Sequence, residues 1–339
     1  MKKLIVDMSP ILYANLISSV GEAKREGAKK NEDGIIEFNE SVLIYKVITE
    51  IAMLKTQFKV DEVILAFDNS KGGYWRKNYY DRYKYGRKEG RDKSEIDWNA
   101  GFTSFNKINE QLIDNSSFRC VSVETTEADD IAFVLSKRFS EQGDHVILHT
   151  IDRDWEHALN YSNVEVFRTR KTQRKPGLWV QKTPEEREDK IAEHCIAGDP
   201  GDGFLHIKSW TKFSDDFLID YPKFKGRELE LYDKHHQIEA MFNLKYDWTK
   251  KAYKHPRFGY ASFKKGKKTL EDILKEHPIH RMNYERNKKL CLPMFVPDDL
   301  SDKINIAYDV SSNKKNIPEL QKFFTENQLF ELNTQIPLL

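Results

Sequence analysis

The chain has 339 residues, 32% charged and 39% hydrophobic, with a formal net charge of only +1 at pH 7. That length allows one large or two modest domains with a full core, and no stretch approaches the ~20 apolar residues of a membrane helix. Cys120, Cys195 and Cys291 form no CxxC pair, which argues against a disulfide framework or a zinc ribbon, so an intracellular, cytoplasmic protein is expected.

The first strand, Lys3-Leu-Ile-Val6, runs into Asp7; the following Met-Ser-Pro-Ile-Leu-Tyr turns into a helix, and polar Gly21 to Gly34 reads as a loop. Apolar positions repeat at helical spacing from Asn39 to Phe58, a crossover helix leading to a second strand at 62–67 that runs into Asp68. A βαβ unit makes its strands parallel and brings Asp7 and Asp68 to one edge. From Ser70 to Lys93 there are nine Lys/Arg against three Asp/Glu, interleaved with Tyr74, Trp75, Tyr79, Tyr80, Tyr83 and Tyr85. Basic residues neutralise phosphates and aromatic rings stack on unpaired bases; the competing reading is a solvated charged helix with surface tyrosines.

A helix is expected near Phe102 to Leu112. A third strand, Cys120 to Val123, then leads to Glu127-Ala-Asp-Asp130, with Thr126 as N-cap and Gly143 as the stop of the next helix. The apolar run His145-Val-Ile-Leu-His149 has the β-branched content of a buried parallel strand and delivers Asp152 and Asp154. A fifth strand, Val164 to Phe167, precedes a basic turn, 168–175, read as an exposed hairpin. A helix from Pro184 to Ala197 ends at Gly198-Asp-Pro-Gly-Asp-Gly203, where Asp199 and Asp202 can share a turn. Beyond 205 the strand pattern stops. Helices are expected near 227–243, 269–276, 284–290 and 316–330, with Thr249 to Lys289 again basic, thirteen Lys/Arg against four Asp/Glu.

One acid after one strand is explained as a helix N-cap; four strands ending this way predict a carboxylate-lined crevice at the carboxyl ends of a sheet. Asp7, Asp68, Glu127, Asp129, Asp130, Asp152, Asp154, Asp199 and Asp202 would repel one another there unless cations intervene. Oxygen-only ligands favour Mg²⁺ or Mn²⁺ over zinc, and two such ions clamp a scissile phosphate and activate water for phosphodiester hydrolysis. A haloacid-dehalogenase phosphotransferase wants Asp-x-Asp after its first strand, where this chain has Asp7-Met-Ser9. A topoisomerase-primase module would use Asp152 and Asp154 but leave Asp7, Asp68 and Asp199 unexplained. No GxxxxGK[ST] loop exists.

In order along the chain, Ile-Val-Asp7-Met-Ser, Phe-Asp68-Asn-Ser-Lys-Gly-Gly-Tyr-Trp-Arg76, Glu127-Ala-Asp-Asp130, Ile-Asp152-Arg-Asp154 and Ala-Gly-Asp199-Pro-Gly-Asp202 resemble the acidic motifs of the flap endonuclease or 5′-nuclease superfamily, in particular its bacteriophage branch. The likeness runs through 1–205 and resumes loosely from Tyr284 to Pro297. It implies an α/β fold: a PIN-like nuclease domain over 1–205, with a central, mostly parallel sheet and a helical arch at about 70–95, and a mostly helical DNA-binding region over 206–339. It implies that Asp7, Asp68, Glu127, Asp129, Asp130 and Asp152 surround a first Mg²⁺, and that Asp154, Asp199 and Asp202 hold a second. Tyr83-Lys84-x-x-Arg87 matches the arch motif, so Lys84 and Arg76 would steer the scissile phosphate, with Lys71, Lys77, Tyr83 and Arg87 also contacting nucleic acid.

The activity so implied is a 5′→3′ exonuclease and flap endonuclease, a ribonuclease H in its action on RNA primers, working on DNA and RNA–DNA duplexes with 5′ ends or flaps during lagging-strand replication. A monomer is expected, with a single-stranded-DNA-binding protein as a partner. Two departures stand out: Gly203-Phe-Leu-His-Ile-Lys208 stands where the family has a glycine hairpin, and with Asp7 nearly at the start of the sequence, docking on a sliding clamp through residues before the first strand is not expected. The alternatives are a non-catalytic module of the same fold that binds DNA junctions, and a PIN-type ribonuclease acting on free RNA.

Overall fold

The computed structural model describes residues 1–80, 83–84, 86–169, 177–199, 202–203, 207, 245–247, 252–254, 263, 265–275, 278–311 and 314–339. They divide into two compact units, one of Met1–Lys77, Arg87–Pro184 and Leu292–Leu339, the other of Asn78–Gly86 and Glu185–Cys291. No helix among them is long and apolar enough to cross a membrane.

The first unit is built on strands β1 (Lys2–Asp7), β2 (Glu62–Ala66), β3 (Arg119–Val121), β4 (His145–Thr150), β5 (Val164–Arg168) and β6 (Leu178–Trp179). They form one sheet in the order β3-β2-β1-β4-β5-β6. All pairings are parallel except β5 with β6. Parallel strands need helical crossovers, so both faces become covered, and the continuous apolar runs of β1, β2 and β4 meet that demand. Leu4, Val6, Val63 and Leu65 point into one cluster, Ile5, Ile64, Val146 and Leu148 into another. The first cluster holds helices α1 (Met8–Arg25), α2 (Glu40–Phe58) and α4 (Trp98–Asn115); the second holds α5 (Ala128–Glu141). The short helix α3 (Gly86–Asp92) lies between α2 and α4 in sequence.

Local chemistry sets the ends. Asn39 caps α2 by accepting from the Ser41 and Val42 N–H groups at 2.9 and 3.3 Å. Helix α1 continues to Arg25, so the loop expected from Gly21 begins later; Lys24 and Arg25 in its last turn complement the helix dipole. The cap of α5 is Glu127, in a reciprocal box with Asp130, and not Thr126, whose hydroxyl donates to the Val123 carbonyl.

The chain's last segment returns to the first unit. Leu320, Phe323 and Phe324 of the helix Ile317–Glu326 enter the α1/α2 cluster, and Leu300, Ile304 and Tyr308 of Asp298–Val310 enter the α5 cluster. In the second unit the helix Pro278–Cys291 is longer than the expected 284–290. Its Asn287 donates to the Cys195 carbonyl at 2.8 Å and its Asn283 to the Ile207 carbonyl at 2.7 Å. Two short strands, Lys245–Asp247 and Ala252–Lys254, pair antiparallel in a region expected to lack strands. The helix expected at 227–243 and the hairpin tip within 168–175 lie outside the described residues, although β5 and β6 pair on either side of that tip.

Candidate active site at the carboxyl edge of the sheet

Parallel register places three acids on one edge. Asp7 ends β1 opposite Ala66 of β2, two residues before Asp68, and Val6 pairs with His149 of β4, three residues before Asp152. The loops beyond β2 and β3 are joined by backbone bonds from Asn69 N to Thr126 O (2.9 Å) and Trp75 N to Thr125 O (3.0 Å). Gly72 and Gly73 make the turn between them, both at positive φ, where a side chain would be strained. This joint brings Asp68 to the start of α5, where its Oδ1 accepts the Ala128 N–H at 2.8 Å.

Two hydroxyls tie the acids together. Thr150 Oγ1 donates to Asp7 Oδ2 at 2.8 Å and accepts the Asp152 N–H at 3.0 Å. Ser9 Oγ donates to Asp68 Oδ2 at 2.6 Å. Asp7 is 6% exposed. Burial pushes its carboxyl well above the usual range, and the neighbouring Asp68 and Asp152 add to the rise against the bond from Thr150.

Glu127 and Asp130 have another fate. Both are buried around Arg76, whose Nη1 lies 2.7 Å from Glu127 Oε2 and whose Nη2 lies 2.7 Å from Asp130 Oδ1. Trp75 Nε1 donates to Asp130 Oδ2 at 2.9 Å, and Trp155 Nε1 donates to Asp129. Arg76 was expected to steer a phosphate and Glu127 and Asp130 to bind metal. At 2% exposure the guanidinium instead neutralises these two carboxylates inside the protein. Of the remaining acids, Asp152 is exposed and Asp129 and Asp154 are half-buried.

The basic stretch packs more than its composition implied. Trp75, Tyr80 and Tyr83 are buried and Tyr74 half-buried, leaving Tyr79 exposed. Tyr83, expected to contact nucleic acid, is 1% exposed, and its hydroxyl donates to Asp202 Oδ2 at 2.9 Å. Lys84, at positive φ, donates its backbone N–H to the Asp202 carbonyl at 2.8 Å, with its ammonium 3.9 Å from Asp202 Oδ1. Lys71, Lys77 and Arg87 are exposed, Lys71 in an ion pair with Glu124. Asp81, Arg82 and Tyr85 lie outside the described residues.

Asp199 and Asp202 belong to the second unit, where the Asp202 N–H bonds Asp199 Oδ1 at 3.2 Å and His194 Nε2 lies 3.2 Å from Asp199 Oδ2. Ser9, Thr150, Trp155 and His194 escape a search for acids. The signal for Thr150 is a hydroxyl at a strand end two residues before Asp152; His194 carries none, since Asp199 lies five residues on and beyond the helix end at Ala197.

Among the described residues no three His, Cys, Asp or Glu side chains form a ready-made metal cage. Asp7, Asp68 and Asp152 offer oxygen donors only and carry one sign of charge, which is the donor chemistry of a hard divalent cation. Mg²⁺ in particular is held by one or two carboxylates and keeps several of its waters.

Fold and edge together define an open α/β domain with carboxylates gathered outside the ends of its parallel strands. Residues 4–190, over half of the chain, match the family model described as the 5′-3′ exonuclease, N-terminal resolvase-like domain, and the chain belongs to that family. The Ribonuclease H of Enterobacteria phage T4 is 28% identical over 152 residues, 45% of this chain and 48% of the relative, so the match spans about half the length of that curated relative. Two bacteriophage T5 structures share the fold. One is the D15 protein co-crystallised with metal ions, 16% identical with a TM-score of 0.53 over 91% of this chain and 98% of that one. The other is the D15 flap endonuclease in a pseudo-enzyme–product complex with DNA and metal ions, 17% identical with a TM-score of 0.52 over 91% of this chain and 100% of that one.

Proposed function

We propose that this protein is a 5′→3′ nuclease that requires a divalent cation, Mg²⁺ first and Mn²⁺ as a substitute, and removes 5′ DNA flaps and the RNA of RNA–DNA duplexes during lagging-strand synthesis. One contrast carries the reading. The buried cation Arg76 is engaged by Glu127 and Asp130, whereas Asp7 is buried beside Asp68 and Asp152 and its carboxyl is driven upward. Such a trio is costly without a cation and serves no purpose in a protein that only binds phosphates. Family membership and the DNA and metal ions named for the T5 flap endonuclease complex support the same assignment.

Bound divalent cations would supply Lewis-acid activation of water and of the phosphate. Asp7, Asp68 and Asp152, with Asp129 beside them, would hold the first, and Asp154, Asp199 and Asp202 are proposed for a second on the strength of their motifs. Lys84 would stabilise charge developing on the phosphate, and Lys71, Lys77 and Arg87 would neutralise the backbone flanking it. Glu127 and Asp130 serve by fixing Arg76 and the start of α5, which carries Asp129.

The test is a 5′-end-labelled flap duplex incubated with the protein in EDTA and then given Mg²⁺, alongside Asp152→Asn. Short 5′ products are expected only with Mg²⁺ and only from the native protein. Tight binding without cleavage would turn the assignment to a junction-binding module, and undiminished cutting by the variant would remove Asp152 from the site.

A further inference from the structure

We infer that Ser9 and Thr150 are positioning residues whose hydroxyls hold Asp7, Asp68 and Asp152 in the arrangement a divalent cation requires. The inference rests on the cation-dependent reading above. Thr150 makes two links and so sets a spacing as well as satisfying a partner, while Ser9 holds Asp68 from the helix that begins directly after Asp7. Thr150 joins the side chain of Asp7 to the backbone of Asp152, its one proton going to Asp7 Oδ2 and a lone pair receiving the Asp152 N–H. Ser9, in the first turn of α1 two residues after Asp7, donates its hydroxyl to Asp68. With Ala128 N–H on Asp68 Oδ1 and Ser9 on Oδ2, both oxygens of Asp68 are held and the plane of the carboxylate is fixed.

The kind of donor matters as much as its place. A lysine or arginine in either position would orient the carboxylates equally well but cancel their charge, as Arg76 does for Glu127 and Asp130. A hydroxyl orients without cancelling, so the trio keeps its attraction for a divalent cation. Thr150 is 1% exposed, and its position at the end of β4, paired with Arg168 of β5, fixes its backbone. Partners of this kind behind metal ligands characteristically contribute 10–100-fold to metal affinity.

A merely structural role predicts a different pattern, so the readout is cation affinity beside stability. Mn²⁺ alone is titrated into the full chain and its free concentration followed by electron paramagnetic resonance, for the native protein, Thr150→Val, Thr150→Ser and Ser9→Ala. Thermal unfolding of each is recorded in EDTA. Valine keeps the shape of threonine and removes the hydroxyl; serine keeps the hydroxyl and removes the methyl. The expected result is about 10–100-fold weaker Mn²⁺ binding for Thr150→Val and Ser9→Ala, with near-native affinity for Thr150→Ser. Folded variants that bind as tightly as the native protein would overturn the inference, as would a Thr150→Ser as weak as Thr150→Val. Ser9 is only half-buried, so Ser9→Ala decides the matter if Thr150→Val does not fold. A native protein that takes up no Mn²⁺ would overturn the cation-dependent reading and this inference with it, an outcome distinct from equal affinity across the series.

Discussion

Arg76 shows how one side chain decides what its neighbours do. A buried guanidinium between two carboxylates recovers its desolvation cost only if every bond is made, and here the bonds to Glu127 and Asp130 are all between 2.7 and 3.0 Å. The Trp75 ring beneath it, with its centroid 4.5 Å away, adds a cation–π contact. Replacing Arg76 with Met would leave two buried carboxylates without a counter-charge and should cost about 3–5 kcal/mol, measured by urea unfolding in EDTA. A cost below about 1 kcal/mol, the scale of an exposed pair, would mean that the triad carries little of the structure. The Trp75-Arg76 pair was visible in the sequence as part of a basic, aromatic stretch. Its burial was not, because composition cannot tell a ring that stacks on a base from one that packs beneath a guanidinium.

Among the elements, those fixed by local chemistry were the most legible. The apolar runs of β1, β2 and β4 and the cap of α2 by Asn39 follow from residue type and spacing, and the same runs place Asp7, Asp68 and Asp152 on one edge. Less legible was anything that depends on a contact distant in sequence, such as the cluster at the start of β2. There Glu62 accepts from Lys3 Nζ at 2.5 Å, Tyr308 Oη at 2.7 Å and Arg119 Nε at 3.1 Å, joining β1, β2, β3 and the helix Asp298–Val310. Burial alone would push the Glu62 carboxyl up, but the bonds from Lys3 and Tyr308 outweigh it and hold the group below its usual range. A depressed folded value contributes stability above the ordinary glutamate pKa of about 4.3, lost as pH falls through the folded value. Glu62→Gln should therefore cost about 1.5–3 kcal/mol at pH 7, with the gap to the native protein closing in acid. Unfolding curves between pH 7 and pH 3 check this, and a gap independent of pH would assign the loss to packing instead.

At the scale of the whole molecule, two clusters sandwich a sheet whose carboxyl edge carries the acids. The sequence divides the chain at 205, whereas Leu320, Phe323 and Phe324 complete the core of the first unit. That return was not legible, because an amphipathic helix shows that it has an apolar face and not which face it meets. The ordered acidic motifs were legible throughout 1–205, and those from Asp7 to Asp154 lie within the residues that match the family. What the acids do individually required coordinates: Glu127 and Asp130 answer to Arg76, while Asp7, Asp68 and Asp152 answer to one another. The central claim is that this second group exists for a cation that cleaves phosphodiesters. It is tested most directly by single-turnover cleavage of a 5′-flap duplex with Mg²⁺ by Asp7→Asn, with binding of the same duplex followed by fluorescence anisotropy. The account predicts retained binding and abolished cleavage. Cleavage at the native rate would contradict it.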